Sequence, residues 1–285
     1  MTRRPPRPDG LDLQRLRAIR GRRTDRTHLE QLVTRIEEHL DEHDGYVALS
    51  GGKDSVVVAD MARRADPATP MVWFDSGLEW PETRTYLHEL ADTWQLNLAI
   101  VHPQPDALEV LEASGLWHLD RPRRPVPPLS QVCIDAPAAA AHERYGPGEL
   151  WGVRADEASG RRIMYATALR DETARACTES CCTTPRERAA RHGGVIRRLD
   201  GTTAYGPIWD WTSEQVWQHL AAGEIPINPV YDKLRRLGAP PRALRVSHII
   251  DGSRLEHGSA VWLRAGWPDL YDELVERLPL LGDYG

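Results

Sequence analysis

Lysine is almost absent from this sequence, and other features that it lacks limit the class of protein that it can encode. Of its 36 basic residues only Lys53 and Lys233 are lysine. The formal net charge of −6 argues against a surface that coats nucleic acid throughout, although a local basic patch stays compatible with it. No apolar run approaches the roughly 20 residues that span a bilayer, and the first residues lack the apolar core of a secretory signal. The sequence therefore predicts a cytoplasmic protein with no membrane partner.

Cysteine is also scarce. Four cysteines among 285 residues are too few for a disulfide scaffold, so metal-binding, catalytic or buried thiols are expected. All four fall in the middle of the chain, at Cys133, Cys177, Cys181 and Cys182. No cysteine follows Cys182, which excludes chemistry that depends on a thiol in the C-terminal third of the sequence.

One of the two lysines lies inside a glycine turn between a predicted strand and a predicted helix. The apolar stretch 46–49 runs into Ser50-Gly51-Gly52-Lys53-Asp54-Ser55, and a helical pattern follows. Glycines allow the backbone to approach an anion, and the helix start adds partial positive charge. Lys53 supplies a compact charge, Ser50 and Ser55 can donate from hydroxyls, and Asp54 can hold magnesium. The pattern predicts a site for the phosphates of ATP.

Beyond this turn, strand and helix patterns alternate. Predicted strands lie at 46–49, 71–75, 96–101, 149–153 and 204–208, separated by helical stretches. Alternation of this kind is typical of a parallel sheet covered on both faces, so we expect a three-layer α/β/α, Rossmann-like fold. We divide the chain into a basic N-terminal arm and helix (1–44), a nucleotide-binding α/β domain (45–210) and a helical C-terminal region packed on it (211–285). Residues 1–27, with nine arginines and three acids, form either a frayed tail or an arm for nucleic acid or a partner protein.

Ligands of an open parallel sheet bind beyond the carboxyl ends of its strands, which directs attention to the segments that follow each strand. The second strand is followed by Asp75, Ser76 and Gly77, which could hold ribose or adenine. Cys133 follows the third strand, Arg154 to Arg162 follow the fourth, and Cys177 to Cys182 lie further on. We therefore expect every cysteine to lie at the same edge as the nucleotide.

The turn Ser50–Ser55 resembles the PP-loop of N-type ATP pyrophosphatases in the adenine-nucleotide alpha-hydrolase superfamily. Over roughly residues 40–280 the resemblance narrows to the phosphoadenosine-phosphosulfate (PAPS) reductase family. Segments that are similar to that family's motifs are Asp75-Ser76-Gly77 with Pro81-Glu82-Thr83, Gly152-Val153-Arg154 through Arg162, and 207–211 with 227–232. The resemblance implies that Arg154 and Arg162 face phosphates and that Tyr231 and Lys233 line the rim of the site.

Two departures from PAPS reductases favour a different subfamily. The sequence lacks the late Glu-Cys-Gly-x-His segment, and Lys53-Asp54 suits an intact triphosphate with magnesium. The better resemblance is to sulfur-inserting pyrophosphatases of DNA phosphorothioation systems (the DndC and SspD types). It implies that Lys53 and Asp54 serve AMP-forming ATP cleavage, that Cys133 is catalytic, and that a cysteine desulfurase or other sulfur donor, DNA and further subunits are partners. A sulfonucleotide reductase and a non-catalytic nucleotide-binding subunit stay open as alternatives.

Three interpretations of the cysteines also stay open. Cys133, Cys177, Cys181 and Cys182 have the count and ligand type of a [4Fe–4S] site, although two adjacent cysteines fit one cluster poorly. A persulfide relay instead needs one or two accessible thiols of low pKa. In the third interpretation several of these thiols are simply buried.

Overall fold

The protein is described by a computed structural model, which covers residues 26–177, 182–246 and 259–285. The basic arm before residue 26, Cys181 and residues 247–258 lie outside the described ranges. Within them, none of the helices combines the length and the apolar character that a bilayer crossing requires.

Six short strands form the sheet, and helices fill the connections between them. The strands are β1 Tyr46–Ala48, β2 Pro70–Phe74, β3 Asn97–Val101, β4 Gly148–Leu150, β5 Val195–Arg197 and β6 Thr203–Tyr205. The helices up to the last strand are α1 Arg26–His43, α2 Lys53–Ala65, α3 Pro81–Trp94, α4 Ala107–Ala113, α5 Ala136–Tyr145, α6 Ser159–Ala176 and α7 Pro185–His192. The C-terminal helices are α8 Ser213–Ala222, α9 Val230–Arg236, α10 Ser259–Gly266 and α11 Pro268–Arg277. Single turns of π- or 3-10 helix at Gln131–Asp135, Ala155–Glu157, Pro241–Ala243 and Pro279–Tyr284 complete the described elements.

The strand order is β3-β2-β1-β4-β6-β5, and all neighbouring pairs are parallel except the last. The α/β class and the parallel central strands confirm the prediction from alternation. The five predicted strands correspond to β1, β2, β3, β4 and β6, which all pair parallel, and the structure adds an unpredicted strand, β5, that pairs antiparallel with β6. The sequence did not predict β5 because its three residues, Val195, Ile196 and Arg197, are too few to show the two-residue period of a strand.

Helices cover both faces of the sheet, because successive side chains of the central strands point to opposite faces and are buried on each. Val47, Met71 and Trp73 belong to the main core, which α2 and α3 complete with residues such as Val57 and Leu87. On the opposite face Tyr46 and Val72 pack with Ala141 of α5 in a smaller cluster. A period of two residues in each strand thus divides the apolar residues between two helical layers.

The C-terminal helical region is attached to the start of α3 by stacked aromatic rings and an ion pair. Trp267 packs on Trp80 with 4.0 Å between ring centroids, and its indole nitrogen donates to Glu82 at 2.7 Å. Lys233 donates to the same carboxylate at 2.7 Å and lies 4.0 Å above the Trp267 ring. Trp211, Trp217 and Trp267 are buried in the core. Lys233, expected at the rim of the site, therefore joins two parts of the fold.

Candidate nucleotide-binding site

The glycine turn joins the end of β1 to the start of α2, as the sequence predicted. Gly51 has a φ of +74°, a backbone conformation that side-chain-bearing residues rarely adopt. Helix α2 then begins at Lys53, and the N-cap residue Gly52 supplies no capping side chain. The helix dipole and the amides of this first turn make this end of α2 a favourable place for an anion.

Hydrogen bonds from distant segments fix the conformation of the turn. The Lys53 amide donates to the hydroxyl of Tyr231 at 3.0 Å, and the Asn228 amide nitrogen donates to the carbonyl of Gly51 at 3.3 Å. Inside the turn, the Ser50 and Ser55 hydroxyls lie 3.2 Å apart. The Tyr231 side chain is buried, and burial raises the pKa of its hydroxyl, which therefore stays protonated at neutral pH.

The charged side chains at the mouth of the turn are paired with one another. The Asp54 carboxylate contacts the Lys53 ammonium through Oδ2 and accepts from Arg154 Nε at 2.6 Å through Oδ1. Only 13% of the Lys53 side chain is exposed, and desolvation lowers its pKa despite the neighbouring Asp54. With both carboxylate oxygens engaged, Asp54 is held between two cations at the start of α2.

Arg154 is buried and holds this pair in place from the end of β4. Its remaining guanidinium nitrogens donate to the Trp211 carbonyl at 3.0 Å and the Ser213 hydroxyl at 3.1 Å. Every guanidinium nitrogen thus has a protein partner, which differs from the expectation that Arg154 faces a phosphate. Arg162, expected beside it, is exposed on the first turn of α6. Its predicted phosphate contact stays a prediction.

A close approach of two backbones brings the end of β4 against the glycine turn. Gly152 lies so near the start of α2 that a Cβ atom at this position would be 2.6 Å from the Asp54 carbonyl carbon and 2.6 Å from the Ser55 nitrogen. Glycine is required here by space, since its φ is outside the positive region. The contact sets the distance between Arg154 and Asp54.

The segment after β2 forms a tight turn around a buried carboxylate. Asp75 accepts from the Gly77 amide at 3.1 Å, and its second oxygen lies 2.5 Å from Arg84 of α3. The Ser76 hydroxyl donates to Glu79 at 3.1 Å, and Gly77 has a φ of +76°. Asp75, Ser76 and Gly77 therefore form a turn fixed by hydrogen bonds at the sheet edge that also carries the glycine turn. The Asp75 carboxylate faces Arg84.

Cys133 lies in the π-helical turn Gln131–Asp135 and is buried, close to the acids Glu79 and Asp106 that follow β2 and β3. Burial, with a smaller contribution from these two carboxylates, raises the pKa of its thiol to about 11. The structure therefore places Cys133 among the buried thiols of the third interpretation, and its catalytic role stays a prediction. A helix start does follow the cysteine, but desolvation outweighs its field.

The raised pKa gives a testable pH dependence. Because the pKa moves from 9.0 to about 11, the thiolate fraction of Cys133 at pH 7 is expected to be about 100-fold lower than that of an ordinary cysteine. Alkylation by iodoacetamide, followed by mass spectrometry, should be slow at pH 7 and rise through pH 10–11. The same cysteine in the urea-unfolded chain is the control. Equal labelling rates in folded and unfolded chains at pH 7 would contradict the assignment.

Cys177 and Cys182 lie away from the glycine turn and away from Cys133. Helix α6 begins beside Glu157 and Arg154 and continues for 18 residues, so Cys177 at its end lies about 27 Å along the helix axis from its start. There Cys177, Cys182 and His192 have ligand atoms within 4.8 Å of one another, a group that does not include Cys133. The expectation that every cysteine lies at the same edge as the nucleotide is therefore wrong for Cys177 and Cys182, and among the described residues Cys133 does not join their group. A long helix after β4, which the charged segment 154–162 did not indicate, carries the chain away from the site.

Sequence reasoning also missed two residues that shape the site. Asn228 donates to both Gly51 and Thr83, which links the PP-loop to α3. His192 completes the distant cysteine group. A histidine ten residues after a cysteine carries little signal by itself, because only the fold brings the two side chains together.

The glycine turn, the start of α2 and the two cations paired with Asp54 thus lie together at the carboxyl end of β1 in an α/β protein. The family model of the phosphoadenosine phosphosulfate reductase domain matches residues 45–243, and the chain belongs to this family. Family membership places it among the nucleotide-binding enzymes of sulfur metabolism.

Similar proteins carry names from sulfur metabolism. A phosphoadenosine 5'-phosphosulfate reductase of Synechococcus sp. is 26% identical over 196 residues, covering 66% of this chain and 68% of that protein. A sulfate adenylyltransferase subunit 2 of Marinomonas sp. is 26% identical over 224 residues, covering 74% and 69%. Among solved structures, a PAPS reductase from Candida auris in a phosphate complex covers 75% of this chain and 92% of its own, with 15% identity and a TM-score of 0.46.

Proposed function

We propose that this chain is an ATP pyrophosphatase that adenylates a substrate and so activates it for sulfur transfer. The observation that carries the proposal is the arrangement at the start of α2, where Lys53, the amides of the first helical turn and the glycine turn meet at the carboxyl end of β1. A triphosphate there gains backbone donors, a point charge and the helix dipole together.

Asp54 and Lys53 would exchange partners when nucleotide binds. In the chain alone, the Lys53 ammonium is neutralised by Asp54. A triphosphate would draw Lys53 to its oxygens, which frees Oδ2 of Asp54 while Arg154 keeps Oδ1. This oxygen, at the mouth of the turn, fits a magnesium ligand. Magnesium, when bound, would neutralise phosphate charge.

The protein would then contribute positioning and charge stabilisation to the reaction. A substrate oxygen attacks the alpha phosphorus, the bond to the bridging oxygen breaks, and pyrophosphate leaves with the electron pair. Lys53 and the turn amides stabilise charge that grows on the leaving phosphates. We propose a DNA phosphate as the acceptor, with a cysteine desulfurase or another sulfur donor supplying the sulfur. The resemblance of Lys53-Asp54 to phosphorothioation pyrophosphatases supports this choice.

Pyrophosphate release tests the proposal. We expect Mg²⁺- and ATP-dependent phosphate after added inorganic pyrophosphatase, measured with malachite green. The rate should fall roughly 10²–10³-fold in Lys53→Ala, as for removal of one charge-stabilising donor elsewhere, and also fall in Asp54→Ala. Arg170→Ala, an exposed change on α6, is the control. If no pyrophosphate appears with DNA or other acceptors, or if the rate is the same in both site variants, the chain only binds nucleotide.

The PAPS reductase relatives favour a second candidate, a sulfonucleotide reductase. If the protein releases sulfite from PAPS with a thioredoxin-like reductant and does not release pyrophosphate from ATP, the sulfonucleotide reductase is the correct candidate. The absence of cysteine after Cys182 speaks for the first candidate.

A further inference from the structure

Two cysteine sulfurs and an imidazole meet at the end of the α6–α7 hairpin, away from the proposed nucleotide site. Cys177 directly follows α6, Cys182 lies in the connection, and His192 is the last residue of α7. Their ligand atoms, the two Sγ atoms and one ring nitrogen, all lie within 4.8 Å of one another. Cys182 and His192 are buried. A set of soft sulfur and imidazole donors with no carboxylate suits zinc and not magnesium or calcium.

The distance between Cys182 Sγ and His192 Nε2 fits binding to a single metal ion. Cys182 Sγ lies 3.6 Å from His192 Nε2. Bonds of about 2.3 Å from zinc to sulfur and about 2.0 Å to nitrogen, at a tetrahedral angle, place those two atoms roughly 3.5 Å apart. The thiolates of a [4Fe–4S] cluster bind separate irons and therefore stand further apart than the ligands of a single ion.

The surroundings hold the imidazole in position. Arg35 of α1 donates to the carbonyls of Ala190 at 2.9 Å and Gly193 at 2.8 Å, on either side of His192. The other end of α7 is fixed by Thr184, which accepts from the Glu187 amide at 3.2 Å. The histidine thus comes from a helix secured at both ends, which favours a preorganised ligand.

We propose that Cys177, Cys182 and His192 bind a zinc ion that joins the ends of α6 and α7 in the reduced protein. Cys177 is disulfide-bonded in this structure, so the site forms only after a thiol or phosphine reductant supplies two electrons, which with two protons convert the disulfide into the Cys177 thiol and the thiol of its bonding partner. On binding, each thiol releases one proton to solvent and His192 binds as neutral imidazole. Water or another donor takes the fourth position. The ion would stabilise the hairpin that packs on β5 at the edge of the sheet.

Metal titration of the full chain tests the site. The protein is reduced with a phosphine under anaerobic conditions, freed of metal with a chelator, and titrated with Co²⁺ and then Zn²⁺. We expect one Co²⁺ per chain, with the visible absorption of a tetrahedral ion and a thiolate charge-transfer band, and its displacement by one Zn²⁺. Cys182→Ser and His192→Ala should lose stoichiometric binding. Cys133→Ser, a cysteine change outside the group, should keep it.

His192→Cys keeps the test decisive if Cys182→Ser or His192→Ala fails to fold. A third thiolate should retain binding and strengthen the charge-transfer band. The proposal is overturned if the reduced chain binds no stoichiometric cobalt or zinc, if Cys182→Ser and His192→Ala bind as well as the unmodified chain, or if the chain contains iron with acid-labile sulfide at these residues.

Discussion

Replacing Arg154 by alanine is expected to cause the largest loss of stability among single changes at this site. The side chain is 2% exposed and donates to Asp54, to the Trp211 carbonyl and to the Ser213 hydroxyl. Removal of one partner from a buried ion pair costs about 3–5 kcal/mol, because the other polar groups are left buried without it. Lys53 still contacts Asp54, which places the expectation at the lower end of that range.

Thermal unfolding measures the effect. For a chain of this length about 3 kcal/mol corresponds to a decrease in Tm of roughly 5 °C. Arg170→Ala removes the same side chain from an exposed pair with Asp171 on α6 and should cost less than about 1 kcal/mol. Arg154→Lys should recover only part of the loss, since an ammonium cannot reproduce the planar fork. A Tm for Arg154→Ala within 2 °C of the Arg170→Ala value, measured with about 1 °C precision, would show that the guanidinium network contributes little.

Replacing Gly152 by alanine is expected to weaken nucleotide binding. The added Cβ would lie 2.6 Å from two backbone atoms at the start of α2, which cannot move aside as a side-chain tip could. Overpacking of this kind costs about 1–3 kcal/mol or more. Relief requires the β4 end to move away from the PP-loop, which displaces Arg154 from Asp54 and changes the anion-binding turn. We expect affinity for a non-cleavable ATP analogue, measured by calorimetry, to fall by more than about 10-fold, the effect of 1.4 kcal/mol.

Gly160 offers the matched control for this change. It lies in α6, and a Cβ there would meet nothing within 4 Å. Gly160→Ala should therefore leave nucleotide affinity unchanged and stabilise the helix by about 0.5–1 kcal/mol. The same substitution is thus expected to have opposite effects at two positions eight residues apart. Unchanged affinity in a folded Gly152→Ala variant would show that the close backbone contact does not position the turn.

Local sequence determined the glycine turn. A strand, two glycines and a helix start require only neighbouring residues, and the structure confirms the turn between β1 and α2 and gives Gly51 a left-handed backbone. The rule that parallel strands present their carboxyl ends at one edge also predicted that Arg154 lies near the turn, where it contacts Asp54. This prediction needed only the direction of the strands, which alternation indicates, and not their order.

Tertiary structure alone decided what those residues contact and where the cysteines lie. Asp54 is held between Lys53 and a buried Arg154 because β4 lies next to β1, a pairing of residues a hundred positions apart. Cys133 has a thiol of raised pKa because its turn is packed in the core. Cys177 and Cys182 lie far from the loop because an 18-residue helix carries the chain away. Motif spacing describes local geometry, whereas burial, charge pairing and long-range distances depend on how the layers pack.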